Sequence, residues 1–174
     1  DLAPEYCKHI QRYERHERQL RLYILPSKYK MQYFYFYKSC DVKLMRRLIF
    51  EQLPQLKSLF QLSEWRWFDL ITEINDDVED VFEDLEYING NSFLINLILH
   101  GKSQTKLVFE DFITEIEQAN EATNNHQRRW SNRIYEMTKE NIALTRALLI
   151  KNLNTFDTEV AEKSVLFTYL KHKP

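Results

Sequence analysis

The chain has 174 residues, with 24 Lys and Arg interspersed among 26 Asp and Glu for a net charge of -2, so it has no whole-molecule field to attract nucleic acid or an anionic membrane. Its two glycines, against a usual share of about 7%, leave almost no material for hairpin turns. The expected class is therefore all-α, with one domain over residues 1–174 large enough to bury its own core.

The chain opens at Asp1 without a methionine, as a processed or truncated start would, and with no charged-then-apolar signal pattern. Pro4 suits a first helical turn, and no breaker follows until Pro26, which predicts a charged first helix over Tyr6 to Ile24. His9 and His16 lie two turns apart on it, about 10 Å, too far to share one metal ion, and read as surface residues. Ser27 opens a second helix that carries the aromatic run Tyr33-Phe34-Tyr35-Phe36-Tyr37. Alternation would suit a strand, but no partner strand exists elsewhere. Five consecutive aromatics on a helix face every direction, so this segment is expected in the core or lining an apolar cavity. Asp41 is the expected N-cap of a third helix ending at Leu53, before Pro54. Cys7 and Cys40 lack metal-ligand spacing in a chain too large to need staples, and read as free thiols of a reducing compartment, with the cytoplasm as the expected location.

A fourth helix is predicted from Ser63 to the Asn89-Gly90-Asn91 break. Trp67, Ile71, Ile74, Val78, Val81, Leu85 and Ile88 recur at spacings of four and three, forming one apolar stripe. Asp76, Asp80 and Asp84 stack on another face, a little over one turn apart, flanked by Asp77, Glu79 and Glu83. Carboxylates this close repel unless cations screen them, and Asp is roughly 0.5 kcal/mol worse than Ala in a helix. Hard oxygen ligands with water and a substrate phosphate are how proteins hold magnesium. The competing reading is a solvated helix face opposite the apolar stripe.

Ser92 is the expected cap of a short apolar helix that ends at His100-Gly101, with Gly101 as its C-cap. Its apolar run, Phe93 to Leu99, is far short of the ~20 residues that span a bilayer, so no membrane span is expected. Gly101-Lys102-Ser103 lacks the upstream glycine and strand of a nucleotide-binding loop. Leu107 to Ile116 and Trp130 to Leu149 carry helical apolar periodicity, with a break expected near Thr123-Asn124-Asn125. Asp157 caps a last helix, Val160 to His172, with a basic end. No Ser or Cys occupies a nucleophile-elbow context, which disfavours acyl transfer.

Lys38-Ser39 on a helix, Asp76-Asp77-Val78-Glu79-Asp80 some forty residues later, and Gly101-Lys102-Ser103 further on resemble, in order and separation, the motifs in the C-terminal half of trans-isoprenyl diphosphate synthases, of the class I isoprenoid synthase family. The resemblance implies an isoprenoid-synthase-like helical bundle, or its C-terminal half alone. It implies Mg2+ as cofactor on Asp76, Asp77 and Asp80, with Lys38 and Lys102 on the diphosphate of an allylic prenyl substrate. The implied reaction is ionisation of that diphosphate followed by chain elongation, with Tyr33, Phe34, Phe36 and Tyr37 walling the cation.

Thr72-Glu73 stands where the family has Phe-Gln, and residues 1–70 contain no first aspartate-rich motif. The resemblance then implies a C-terminal portion, a chain completed by a second copy or a partner, or one whose catalysis is lost. Asp76, Glu79 and Asp80 also resemble the DxxED motif of squalene and phytoene synthases. Asn75, Glu79 and Glu83 have the spacing of a terpene cyclase metal motif. A noncatalytic helical interaction module is the alternative from a different class.

Overall fold

The structure is a computed structural model that describes residues 3–20, 28–59, 61–87, 90–123, 129–165 and 167–168. Among the described residues seven α-helices run in chain order: α1 (Ala3–Leu20), α2 (Lys28–Lys38), α3 (Cys40–Gln52), α4 (Arg66–Glu79), α5 (Ser92–Thr123), α6 (Arg129–Thr155) and α7 (Thr158–Ala161). Short 3-10 turns cover Pro54–Ser58, Leu62–Trp65 and Asp84–Glu86. The all-α expectation holds, with no strand among the described residues. No helix among them is long and apolar enough to cross a membrane.

Helix α4 is the hub, packed against α6, α5 and α2, while α1 lies against α2 and α3. Its stripe explains this position: Ile71, Ile74 and Val78 are fully buried, Val81 and Leu85 continue the stripe, and Trp67 packs at its edge. Full burial of each such aliphatic side chain contributes about 1.5–3 kcal/mol. Ile88 and the helix's expected end at Asn89 lie outside the described residues, as do the segment before Lys28 and the basic C-terminal end. For His9 and His16 only the helical backbone is described.

The aromatic run is helical, as expected. Phe34 and Tyr35 are completely buried and Tyr37 nearly so, Phe36 is half-buried, and Tyr33 is exposed. Tyr35 stacks on Phe112 of α5, with ring centroids 6.0 Å apart, which ties α2 to the core.

Several helix boundaries differ from the sequence expectation: α4 begins at Arg66, after a 3-10 turn, rather than at Ser63, and α7 begins at Thr158 and gives way to a turn after Ala161 instead of running unbroken from Val160 to His172. Regular helix ends at Glu79 rather than near Ile88 because two amide side chains take the carbonyls that would continue it. Asn91 Nδ2 donates to the Asp77 carbonyl at 2.7 Å and Asn152 Nδ2 to the Val78 carbonyl at 2.6 Å. In an unbroken helix those carbonyls would accept from the residues four positions on. Asn91, not Ser92, caps α5: its Oδ1 accepts from Leu94 N–H at 2.8 Å. Helix α3 starts at Cys40, so Asp41 lies within its first turn, and Ser39 occupies the cap position without a side-chain bond. Asp157 does cap α7, accepting from the Glu159 and Val160 N–H groups.

Gly101 has φ 74° and ψ 174° and kinks α5 into two stretches that share one span. Nothing lies within 4 Å of the place a Cβ would occupy, so backbone conformation rather than space calls for glycine here.

Candidate functional site at the end of helix α4

The acidic residues converge on the C-terminal end of α4, where α2 ends and α5 begins. Lys38, the last residue of α2, brings its Nζ to 2.6 Å from Asp77 Oδ1, 3.1 Å from Asp76 Oδ2 and 3.7 Å from Glu73 Oε2. One turn earlier on α2, the Tyr35 hydroxyl donates to Asp77 Oδ2 at 2.7 Å. The Ser92 N–H, at the start of α5, donates to the same oxygen at 2.8 Å. An anion at a helix N-terminus meets unsatisfied N–H groups and the positive end of the peptide dipole. Asp77 therefore has three donors on its carboxylate and a fourth on its carbonyl, with a side chain only 2% exposed.

The charges respond to this crowding. Burial alone would lower the Lys38 ammonium, but Asp77, Glu73 and Asp76 overcome it and hold its pKa above the ordinary range. The Tyr35 phenol is pushed up, first by burial and then by Asp77. Burial raises the Glu73 carboxyl to about 7, against the opposing pull of Lys38 and with added repulsion from Asp76. Asp80 is raised by burial and by the neighbouring Asp76, Asp84, Glu83 and Glu79.

Although α4 ends at Glu79, the ladder continues past it: Asp80 N–H bonds the Asp76 carbonyl at 3.0 Å and Asp84 N–H the Asp80 carbonyl at 2.9 Å. Asp76, Asp80 and Asp84 thereby face one cavity of about 220 Å³, which also touches Asp77, Lys38 and Tyr13 of α1. Asn91 closes its far side, donating to Asp84 Oδ2 at 2.8 Å. A second cavity of about 570 Å³ shares Tyr13, Lys38 and Asp76 and is lined further by Cys40, Val42, Thr72 and Glu73.

The remaining predicted site residues lie elsewhere. Glu79 and Glu83 are exposed and line neither cavity, Glu79 being bonded to Asn75 at 3.3 Å. Lys102 is exposed just beyond the α5 kink and lines neither cavity. Phe34 and Tyr37 belong to the core, Tyr33 stacks outward on Tyr37, and Phe36 faces a different cavity beside α3. Tyr13 is the aromatic residue that lines both acidic cavities, and the sequence reading missed it, together with Tyr35, Glu73 and Asn91 as polar members of the site. Only the composition of the aromatic run, the acidic stretch and the Asn-rich break hinted at Tyr35, Glu73 and Asn91 respectively.

Oxygen donors alone face the small cavity from α4, a set that suits a hard divalent cation. No group of three or more His, Cys, Asp or Glu among the described residues is arranged to hold a metal ion. Magnesium is commonly held by only one or two carboxylates with water and phosphate oxygens, so Asp76, Asp80 and Asp84 fit that ion in donor chemistry, whereas Asp77 is engaged within the protein. Compared with known protein families, curated proteins and solved structures, the chain matches none.

Proposed function

We propose that the chain is a magnesium-dependent protein of the class I isoprenoid synthase type, acting on an allylic prenyl diphosphate, with chain elongation as its reaction. The observation that carries this reading is a carboxylate-lined hollow, floored by Lys38, adjoining a larger one of mixed lining. Asp76 and Asp80, with Asp84 behind them, are the residues that would hold the ion. The ion, when bound, supplies positive charge that stabilises a departing diphosphate.

The chain's own residues have distinct parts in this reading. Lys38 presents a fixed positive charge at the boundary of the two hollows, where a diphosphate oxygen can approach. Asp77, its carboxylate already taken by Tyr35 and Ser92 as well, holds Lys38 there as a positioning residue. Tyr13 and Val42 offer the larger hollow an aromatic and an aliphatic wall. Burial of the organic part excludes water that would quench a carbocation. Glu73, with its carboxyl near neutrality, is poised to carry or release a proton at the edge of the larger hollow. Further carboxylates opposite Asp76 are required in this reading, from residues beyond this sequence, a second copy or a partner chain.

A noncatalytic helical module is the second reading, favoured by the complete internal pairing of Asp77. Melting curves with and without magnesium and pyrophosphate separate the two, because a ligand that binds only the folded state raises stability by mass action. Pyrophosphate with magnesium is expected to raise the melting temperature of the wild type, and Asp76→Ala or Asp80→Ala to remove the rise. Magnesium-dependent diphosphate release from an allylic substrate should vanish in the same variants. No thermal response in the wild type, or equal release in the variants, rejects the enzyme reading.

A further inference from the structure

A third cavity, of about 340 Å³, lies at the opposite end of α4, between α1, α3 and the turn that opens α4. Four cations line it, Lys43, Arg46 and Arg47 of α3 with Arg66 of α4, against two carboxylates. Both carboxylates are already taken. Asp69 binds Arg46 through two parallel bonds of 2.8 and 2.6 Å, and Glu5 binds Arg47 at 2.8 Å. The Arg46 guanidinium is fixed further by the Trp65 ring, 4.3 Å from its centroid. Such bidentate pairing locks a planar fork in place.

Lys43 and Arg66 have no carboxylate within ion-pair distance among the described residues. Lys43 Nζ donates to the Phe36 carbonyl and stands 3.3 Å over the Phe36 ring centroid, while Arg66 lies 6.0 Å from the same ring and 4.9 Å from that of Trp67. Burial lowers the Lys43 ammonium to about 8, and the nearby Asp69 and Glu73 do not restore it. The ring contacts contribute only about 0.5–2 kcal/mol each and leave the positive charge uncompensated. The rest of the lining is largely apolar, from Phe36, Tyr6 and Leu62, with the Ser63 hydroxyl at the rim.

We infer that this cavity binds a phosphate monoester, with Lys43 and Arg66 holding the phosphate and Phe36 and Leu62 against the ester's apolar part. Its volume suits a small ligand. The site is separate from the small carboxylate cavity, although Glu73 of the larger one acts on Lys43: Asp69 and Asp76 are seven residues apart on α4, about 10 Å along its axis.

Calorimetric titration of the full chain with phenyl phosphate, at constant ionic strength, tests this. Inorganic phosphate and vesicles containing phosphatidic acid serve as parallel arms. Saturable binding of phenyl phosphate is expected to be at least tenfold tighter than that of inorganic phosphate. Arg66→Gln, at an exposed position, should weaken it at least tenfold without unfolding the chain, and Lys43→Arg should preserve it where Lys43→Met does not. Preference for the vesicles, again lost in Arg66→Gln, supports the site and assigns the phosphate to a lipid headgroup. Absence of saturation in every arm, or equal binding by wild type and Arg66→Gln, overturns the inference.

Discussion

Lys38 and Asp77 form a contact of 2.6 Å that joins the end of α2 to the last turn of α4, with the lysine 17% and the aspartate 2% exposed. Removing one member of a buried pair leaves the other charge without compensation, at a cost of about 3–5 kcal/mol. Lys38→Met is therefore expected to destabilise the fold by that amount. Asp77→Asn should cost less, because the amide oxygen can still accept from Tyr35 and Ser92 and Lys38 keeps Asp76. Urea unfolding of both variants checks the order, and a Lys38→Met loss below about 1 kcal/mol would show that the pair is solvent-screened.

The Glu73 carboxyl gives the fold a pH dependence of definite sign. Its folded pKa, raised to about 7 from the usual carboxyl range, means that the folded state binds more protons than the unfolded state between about pH 4.5 and 7. Its contribution to stability is thus favourable below that window and is lost as pH rises through it, by an amount on the order of 2–3 kcal/mol. Glu73→Gln should flatten the stability profile between pH 5 and 8 in the absence of divalent ions and be more stable than the wild type at pH 8. Parallel profiles for the two proteins would disprove the assignment.

Asn91 serves three elements at once, accepting from Leu94 N–H and donating to the Asp77 carbonyl and the Asp84 carboxylate. Loss of an N-cap costs about 0.5–2 kcal/mol, and a buried carbonyl left unsatisfied costs about 1–3 kcal/mol more. Asn91→Ala is expected to lose about 2–4 kcal/mol, and Asn91→Asp to recover the cap alone while adding repulsion against Asp84. Thermal unfolding of the three proteins distinguishes these; a wild-type-like alanine variant would mean that water replaces all three bonds.

Helix content and the core face of α4 were legible because both depend on local periodicity: Ile71, Ile74 and Val78 lie where spacings of three and four place them. The order of roles within the acid ladder was not. Asp76 and Asp77 are neighbours in sequence, yet a rotation of about 100° around the helix leaves one 60% exposed and turns the other, 2% exposed, onto Tyr35 and the start of α5. That difference depends on partners 42 and 15 residues away. The end of α4 was hidden for the same reason, since the Asn152 amide reaches it from 74 residues along the chain. Lys38 was brought near the acids only by the family resemblance, whereas the position of Tyr13 depended on how α1 lies across α2.

Helix α4 carries acids at the end where its peptide dipoles are already negative and no base in its last turn, the reverse of the arrangement that favours a helix, whereas Asp69 in its first turn is favourably placed. Mobile cations from the medium collect at that C-terminal tip and relieve the opposition, more so as the Debye length shrinks from about 10 Å at 0.1 M to about 3 Å at 1 M. Added sodium chloride consequently strengthens this helix, in contrast to a surface held together by exposed ion pairs.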